Sequence, residues 1–158
     1  MYEFRPMTAD DLPTIKRWLE TPHVSEWWHN AAEQFELVSG DLDHPDMAQF
    51  IVAAAARPFA YLQCYRLSAW NAGFGPQPAS TRGLDQFIGE SDMLDRGHGS
   101  AFIRIFAERL LANGTPRVVI DPDPTNARAI RAYEKAGFQR DRIVHTPDGP
   151  ALLMWRDA

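Results

Sequence analysis

The sequence predicts a mixed α/β fold, a sheet with helices on both faces. Three observations carry this. Short apolar or alternating runs of strand length recur along the chain, segments with apolar residues at three- and four-residue spacing lie between them, and glycine, proline or a capping residue stands at most of the joins. Read in order, the elements are a strand, helices, three strands, a helix, a strand, a helix and two strands, an order that suits one layered domain over residues 1–158.

Tyr2, Phe4 and Pro6 alternate with Glu3, Arg5 and Met7, which predicts a first strand with one buried face. Thr8 is placed to cap a helix whose start is favoured by Asp10 and Asp11 and whose apolar stripe is Leu12, Ile15, Trp18 and Leu19. That helix should end near Thr21-Pro22, and a polar helix over 31–39 should follow. Residues 49–55 and 58–67 read as an antiparallel hairpin. Residues 70–83, rich in glycine and proline, predict a loop of several conformations outside the core, either a flap or an idle connection. A strand over 84–89 and a helix over 97–111 follow, the helix packing through Ala101, Phe102, Ile105, Phe106 and Leu110. Residues 117–120 form an interior strand, Thr125 is placed to cap the next helix, and Gly137 stands where a left-handed C-terminal residue is wanted. Two last strands, 138–145 and 151–155, flank the turn Pro147-Asp148-Gly149-Pro150.

Composition narrows the partners. The net charge of −5, from 21 acidic and 16 basic residues, comes without any basic run, so no nucleic acid is expected and a small cationic substrate fits better. No segment has the roughly 18 apolar residues of a membrane span and the first residues lack a signal-peptide pattern, so no membrane partner and a cytoplasmic location are expected. The histidines at 23, 29, 44, 98 and 145 lack metal-ligand spacing, and Asp41, Asp43 and Asp46 around Pro45 read as a solvated loop, so no metal is expected. Cys64 is the only cysteine and lies in an apolar run, as a core thiol would.

Chemistry is suggested at four places. The turn Leu94-Asp95-Arg96-Gly97-His98-Gly99-Ser100 opens a helix, and glycines with free helix-start amides suit a bulky phosphate, to which Arg96 adds charge. Asp121 lies at the C-terminal end of a strand, where α/β sheets tend to bind ligands, although Asp121 and Asp123 also suit the start of a helix. Tyr133 is either a packing residue or a functional phenol. Trp27 and Trp28 are either an aromatic wall or one core indole beside one surface indole.

The glycine turn together with NARAIRAYEKAGF resembles the coenzyme-binding motifs of the Gcn5-related N-acetyltransferase superfamily (GNAT), over nearly the whole chain. NxxAxxxYEKxGF marks the superfamily. DDLPTIKRWL with VSEWW, LDQFI and TPDGPALLM resemble the aminoglycoside 6′-N-acetyltransferase group within it. The resemblance implies a mixed, mostly antiparallel sheet of six to seven strands and acetyl-coenzyme A as cosubstrate. It implies that the amides of Leu94 to Ser100 cradle the pyrophosphate, that the strand at Phe87 and Ile88 pairs with the pantetheine arm, that Asn126 binds the coenzyme and that Tyr133 lies beside its sulfur. Asp85, Asp121 and Asp148 match carboxylates that bind the acceptor's amines, with Asp85 also proposed as base. Leu94 departs from the glutamine or arginine of the wider superfamily, and residues 70–83 lack the acids of the resistance enzymes.

Direct transfer in a ternary complex is therefore expected, because no Cys/His or Ser/His pair is evident for an acyl-enzyme. The expected acceptor is a small-molecule primary amine, of an aminoglycoside or of a hydroxylysine-like siderophore precursor or other small amine, and a monomer or homodimer is expected. A silent acyl-coenzyme A sensor is the reading from another class.

Overall fold

The computed structural model describes residues 1–70 and 73–158. Its elements are β1 (Tyr2–Pro6), α1 (Leu12–Leu19), α2 (Pro22–Ser25), α3 (Ala31–Gly40), β2 (Met47–Ala54), β3 (Arg57–Arg66), α4 (Leu67–Trp70), β4 (Arg82–Ile88), α5 (His98–Ala112), β5 (Arg117–Ile120), α6 (Ala127–Lys135), β6 (Gln139–Thr146) and β7 (Gly149–Asp157). The strands form one seven-stranded, mostly antiparallel sheet in the order β1-β2-β3-β4-β5-β7-β6, as expected. Two compact units divide the chain, Met1–Cys64 with Gln86–Arg96, and Tyr65–Asp85 with Gly97–Ala158.

In the first unit β1 pairs antiparallel with β2, Tyr2 opposite Ala54 and Pro6 opposite Phe50. The expected one-sided burial of β1 is not found. Tyr2, Phe4 and Arg5 are all half-buried, and Arg5 is held by the Asp11 carboxylate at 2.7 and 2.9 Å. Asp11 also accepts from the Thr8 amide at 2.9 Å, so the helix start is closed from the acidic side. Ile15, Trp18 and Leu19 of α1 are fully buried and cluster with Val24, Val38, Ile51, Tyr61 and Phe87. The short α2, absent from the sequence reading, starts at Pro22, whose fixed φ suits a first helical position. Trp18 lies against Gly89, where a Cβ would meet its ring at 2.2 Å, while its indole N–H donates to Glu90 at 2.7 Å.

In the second unit α5 packs on α6 and β5. Its buried residues are Phe102, Ile103, Phe106 and Ala107, so the inner stripe is turned by one position from the predicted one. The expected free loop at 70–83 is corrected in part. Asn71 and Ala72 lie outside the described residues, but Phe74 is buried, its carbonyl accepts from Arg142 at 2.8 Å, and Gly73 lies so close to the His145 carbonyl that a Cβ would stand 2.2 Å away. Leu67–Trp70, expected to close a strand and open the loop, forms α4 instead.

β5 pairs parallel with β4 through Arg82↔Val118 and Gly83↔Val119, and antiparallel with β7 through Ile120↔Met154. The ladder continues one step past β5, because the Leu152 amide donates to Pro122 at 2.8 Å.

Candidate functional site

Asp85 and Asp121 are placed by one register. Each stands two residues beyond the parallel pair Gly83↔Val119, which brings two carboxylates to the same level and the same face. Asp121 is fixed between Ile120 and Pro122, both tied to β7. Asp148 sits in the turn between β6 and β7, where its amide donates to the Thr146 hydroxyl at 3.2 Å and that hydroxyl donates to Gly149 at 2.8 Å. The structure thus brings together the three acids expected from the sequence. Burial, then the negative charges of Asp85 and Asp148, push the Asp121 carboxyl well above its ordinary value of 3.8.

An acid whose folded pKa is raised binds its proton more tightly folded than unfolded. Stability is therefore full below the unfolded value and falls as pH rises from about 3.9 through the folded pKa. Asp121→Asn is expected to be more stable relative to wild type at neutral than at acid pH, flattening the fall in stability between them. Thermal melts of both chains from pH 4 to 8 check this, and equal slopes would refute the assigned cause.

Tyr133 is buried on α6 and its position is set from both ends of that helix. Asn126, not the expected Thr125, is the N-cap, its Oδ1 accepting from the Ala129 amide at 3.2 Å, while Thr125 donates to the Asp123 carboxylate from both its amide and its hydroxyl. At the other end Gly137 has φ +96°, as the sequence predicted. Its amide donates to Glu134 and the Phe138 amide to Tyr133, both at 3.0 Å, the paired bonds of a Schellman ending. Arg104 donates to the Lys135 carbonyl and Arg156 to that of Ala136, so all four last carbonyls of α6 have partners. The Tyr133 and Phe138 rings meet edge to face, centroids 6.4 Å apart.

The residues expected to hold the coenzyme lie at three places, β4, the start of α5 and, with Asn126, the start of α6. At the start of α5 Gly97 adopts φ +78° with nothing within 4 Å of a Cβ, and its carbonyl accepts from the Ser100 hydroxyl at 3.2 Å. The first amides of α5, from His98 to Ser100, are among those for which a helix itself supplies no partner. Upstream, the Leu94 amide donates to Ser91 at 3.2 Å, and Asp95 is left-handed at φ +59°. Arg96 is exposed. In β4 the Phe87 side chain belongs to the core of the first unit, and the Ile88 carbonyl has His23 Nε2 at 2.9 Å.

Trp28 resolves toward packing, its ring 5.1 Å from Phe87 and 6.2 Å from Tyr61, while Trp27 is half-buried. The sequence reading passed over Tyr65 and Trp70. Tyr65 lies across Gly83 on the face that Asp85 shares, where a Cβ would meet its ring at 2.2 Å, and Trp70 stands edge-on to Tyr65 at 5.8 Å with 36% of its surface exposed. The available signal was Gly83, a glycine inside a strand run, which marks close approach by a neighbour. Among the described residues no group of three or more histidine, cysteine, aspartate or glutamate side chains is arranged to hold a metal, and no helix is long and apolar enough to cross a membrane.

A strand-end cluster of acids, a left-handed glycine at the start of α5 and a buried tyrosine on α6 stand at positions where the sequence suggested chemistry. Residues 7–146 match the family of the acetyltransferase (GNAT) domain, and the chain belongs to that family. It is an acetyl-coenzyme A-dependent N-acetyltransferase. Among its relatives is aminoglycoside N(6')-acetyltransferase type 1 of Klebsiella pneumoniae, 33% identical over 160 residues, covering 95% of this chain and 80% of the relative. The kanamycin resistance protein of Rhizobium radiobacter is 45% identical over 74 residues, 46% of this chain and 68% of its own. The aminoglycoside acetyltransferase AAC(6')-Ib, solved in complex with coenzyme A and kanamycin, superposes with a TM-score of 0.89 at 32% identity, over 99% of this chain and 95% of that one.

Proposed function

We propose that residues 1–158 act as one domain that acetylates a primary amine of a polycationic aminocyclitol sugar, the 6′-amine of an aminoglycoside, by direct transfer from acetyl-coenzyme A. The observation that carries this reading is the convergence of Asp85, Asp121 and Asp148. Three acids whose charges reach one another are unfavourable without a cation, and an acceptor with several ammonium groups relieves them together. The relatives named for aminoglycosides and for kanamycin support the same acceptor class.

The amides of Asp95 to Ser100, with Arg96, hold the pyrophosphate. The open side of β4 at Phe87 and Ile88 aligns the pantetheine, and Asn126 contacts the coenzyme beside its capping role. Acetyl-coenzyme A supplies the thioester carbon that the amine attacks. A lysine-like amine with a pKa of about 10.4 needs about 4.6 kcal/mol to become neutral at pH 7. A carboxylate beside an ammonium raises that pKa, so Asp85 serves first as anchor and then takes the proton through water as the site dries. The Ile88 amide steadies charge growing on the carbonyl oxygen, and the Tyr133 hydroxyl protonates the departing thiolate.

A second reading, a smaller amine such as a hydroxylysine-like siderophore precursor, draws on the segment from Gly73 to Thr81, which contains no acid to meet a third or fourth ammonium. We place the enzyme in the cytoplasm as a monomer or homodimer. Thiol release with kanamycin, hydroxylysine and spermidine as acceptors tests the assignment. Kanamycin should give the highest kcat/KM, and Asp85→Asn should raise its KM about tenfold. A preference for either smaller amine would replace the acceptor, and tight acetyl-coenzyme A binding without turnover would indicate a sensor.

A further inference from the structure

We propose that His23 is a positioning residue, which from α2 clamps the Ile88–Gly89 peptide so that β4 presents its open side to the pantetheine arm. The proposal rests on the reading of Ile88 as a coenzyme-pairing strand residue. A peptide group is a rigid plane, and this one is held at both ends. Its N–H, on Gly89, donates to the Phe59 carbonyl at 2.7 Å, and its C=O, on Ile88, has His23 Nε2 at 2.9 Å.

A carbonyl only accepts, so His23 Nε2 carries the hydrogen, as it does in one neutral tautomer and in the imidazolium. Along a strand the N–H and C=O of one residue point to the same side. The Ile88 amide is therefore aimed with the clamped carbonyl, away from Phe59. A carbonyl oxygen also has two lone pairs, so the histidine leaves it able to accept a second donor such as a pantetheine amide.

The mount for His23 is stiff. The Thr21 hydroxyl donates to Trp18 at 2.6 Å and the Ser25 amide to Thr21 at 2.9 Å, which ties α2 to the end of α1. Trp18 in turn covers Gly89. The strand end is thus held from its edge by His23 and from its face by the indole.

Three variants separate the hydrogen bond from mere packing. His23→Leu keeps volume without a donor, His23→Gln places an amide nitrogen at the same reach, and His23→Asn has a donor that falls short. Calorimetric titration with acetyl-coenzyme A should show about tenfold weaker binding for the leucine and asparagine chains and binding within about twofold of wild type for glutamine. With an acceptor, KM for the amine should stay within about twofold while kcat follows the same order. Wild-type coenzyme affinity in His23→Leu, or a glutamine chain as weak as leucine, would overturn the proposal. If the leucine chain does not fold, the glutamine and asparagine pair decides on the same readout. The titration needs no acceptor, so failure of every amine tested would sink the acceptor assignment and leave the His23 series to be judged by itself.

Discussion

Tyr133→Phe is expected to lower kcat about a hundredfold while changing KM for either substrate little. The phenol is assigned to the leaving thiolate, whose conjugate thiol has a pKa of about 8.5. A tyrosine near 10 can share its proton with that sulfur as charge develops, before full separation. Phenylalanine removes only the oxygen. The edge-to-face contact with Phe138, the burial of the ring and the hydrogen bonds that end α6 all involve groups that survive the change. A thermal melt of the variant beside wild type separates loss of rate from loss of fold. Coenzyme A release under saturating acceptor is the measurement. Turnover equal to wild type would remove Tyr133 from the chemistry.

Gly89→Ala is expected to destabilise the chain by about 3 kcal/mol, the upper range for forcing atoms into a packed core. The added carbon would stand 2.2 Å from the Trp18 ring. Neither side can give way easily. Trp18 is fully buried and its N–H is held by Glu90, while Gly89 donates to Phe59 at 2.7 Å. In a domain of this size that loss is roughly 6–12 °C in melting temperature. Trp18→Phe in the same chain should recover part of it, making the pair non-additive. A fall below about 2 °C for the single change would mean that the ring yields.

What could be read from the sequence divides along physical lines. α6 was legible at its end because Gly137 signals a left-handed residue locally, and its neighbours then complete the capping bonds. The cap at its start was misassigned by one residue, since Thr125 and Asn126 are both competent and Asp123 takes Thr125. The inner stripe of α5 was offset because Ala101, Ile105 and Leu110 are as apolar as Ile103 and Ala107, so periodicity offers two stripes that share Phe102 and Phe106. Only packing on α6 and β5 selects between them. The anchoring of Phe74 by Arg142 joins residues 68 positions apart, beyond any local pattern. The meeting of Asp85, Asp121 and Asp148 is likewise non-local. The resemblance pointed to those three residues, and the parallel register of β4 with β5 supplies the physical reason that two of them stand level.

α6 is a ruler with both ends nailed down. Asn126 starts it and Gly137 stops it, so the number of residues between them sets where the Tyr133 oxygen is delivered. A helix advances about 1.5 Å and 100° per residue. Inserting or deleting one residue before Tyr133 would swing its ring away from Phe138, whereas exchanging Arg128 or Arg131, both exposed, leaves the reach intact. Over evolutionary drift this segment should therefore accept new side chains on its outer surface and reject any change in length.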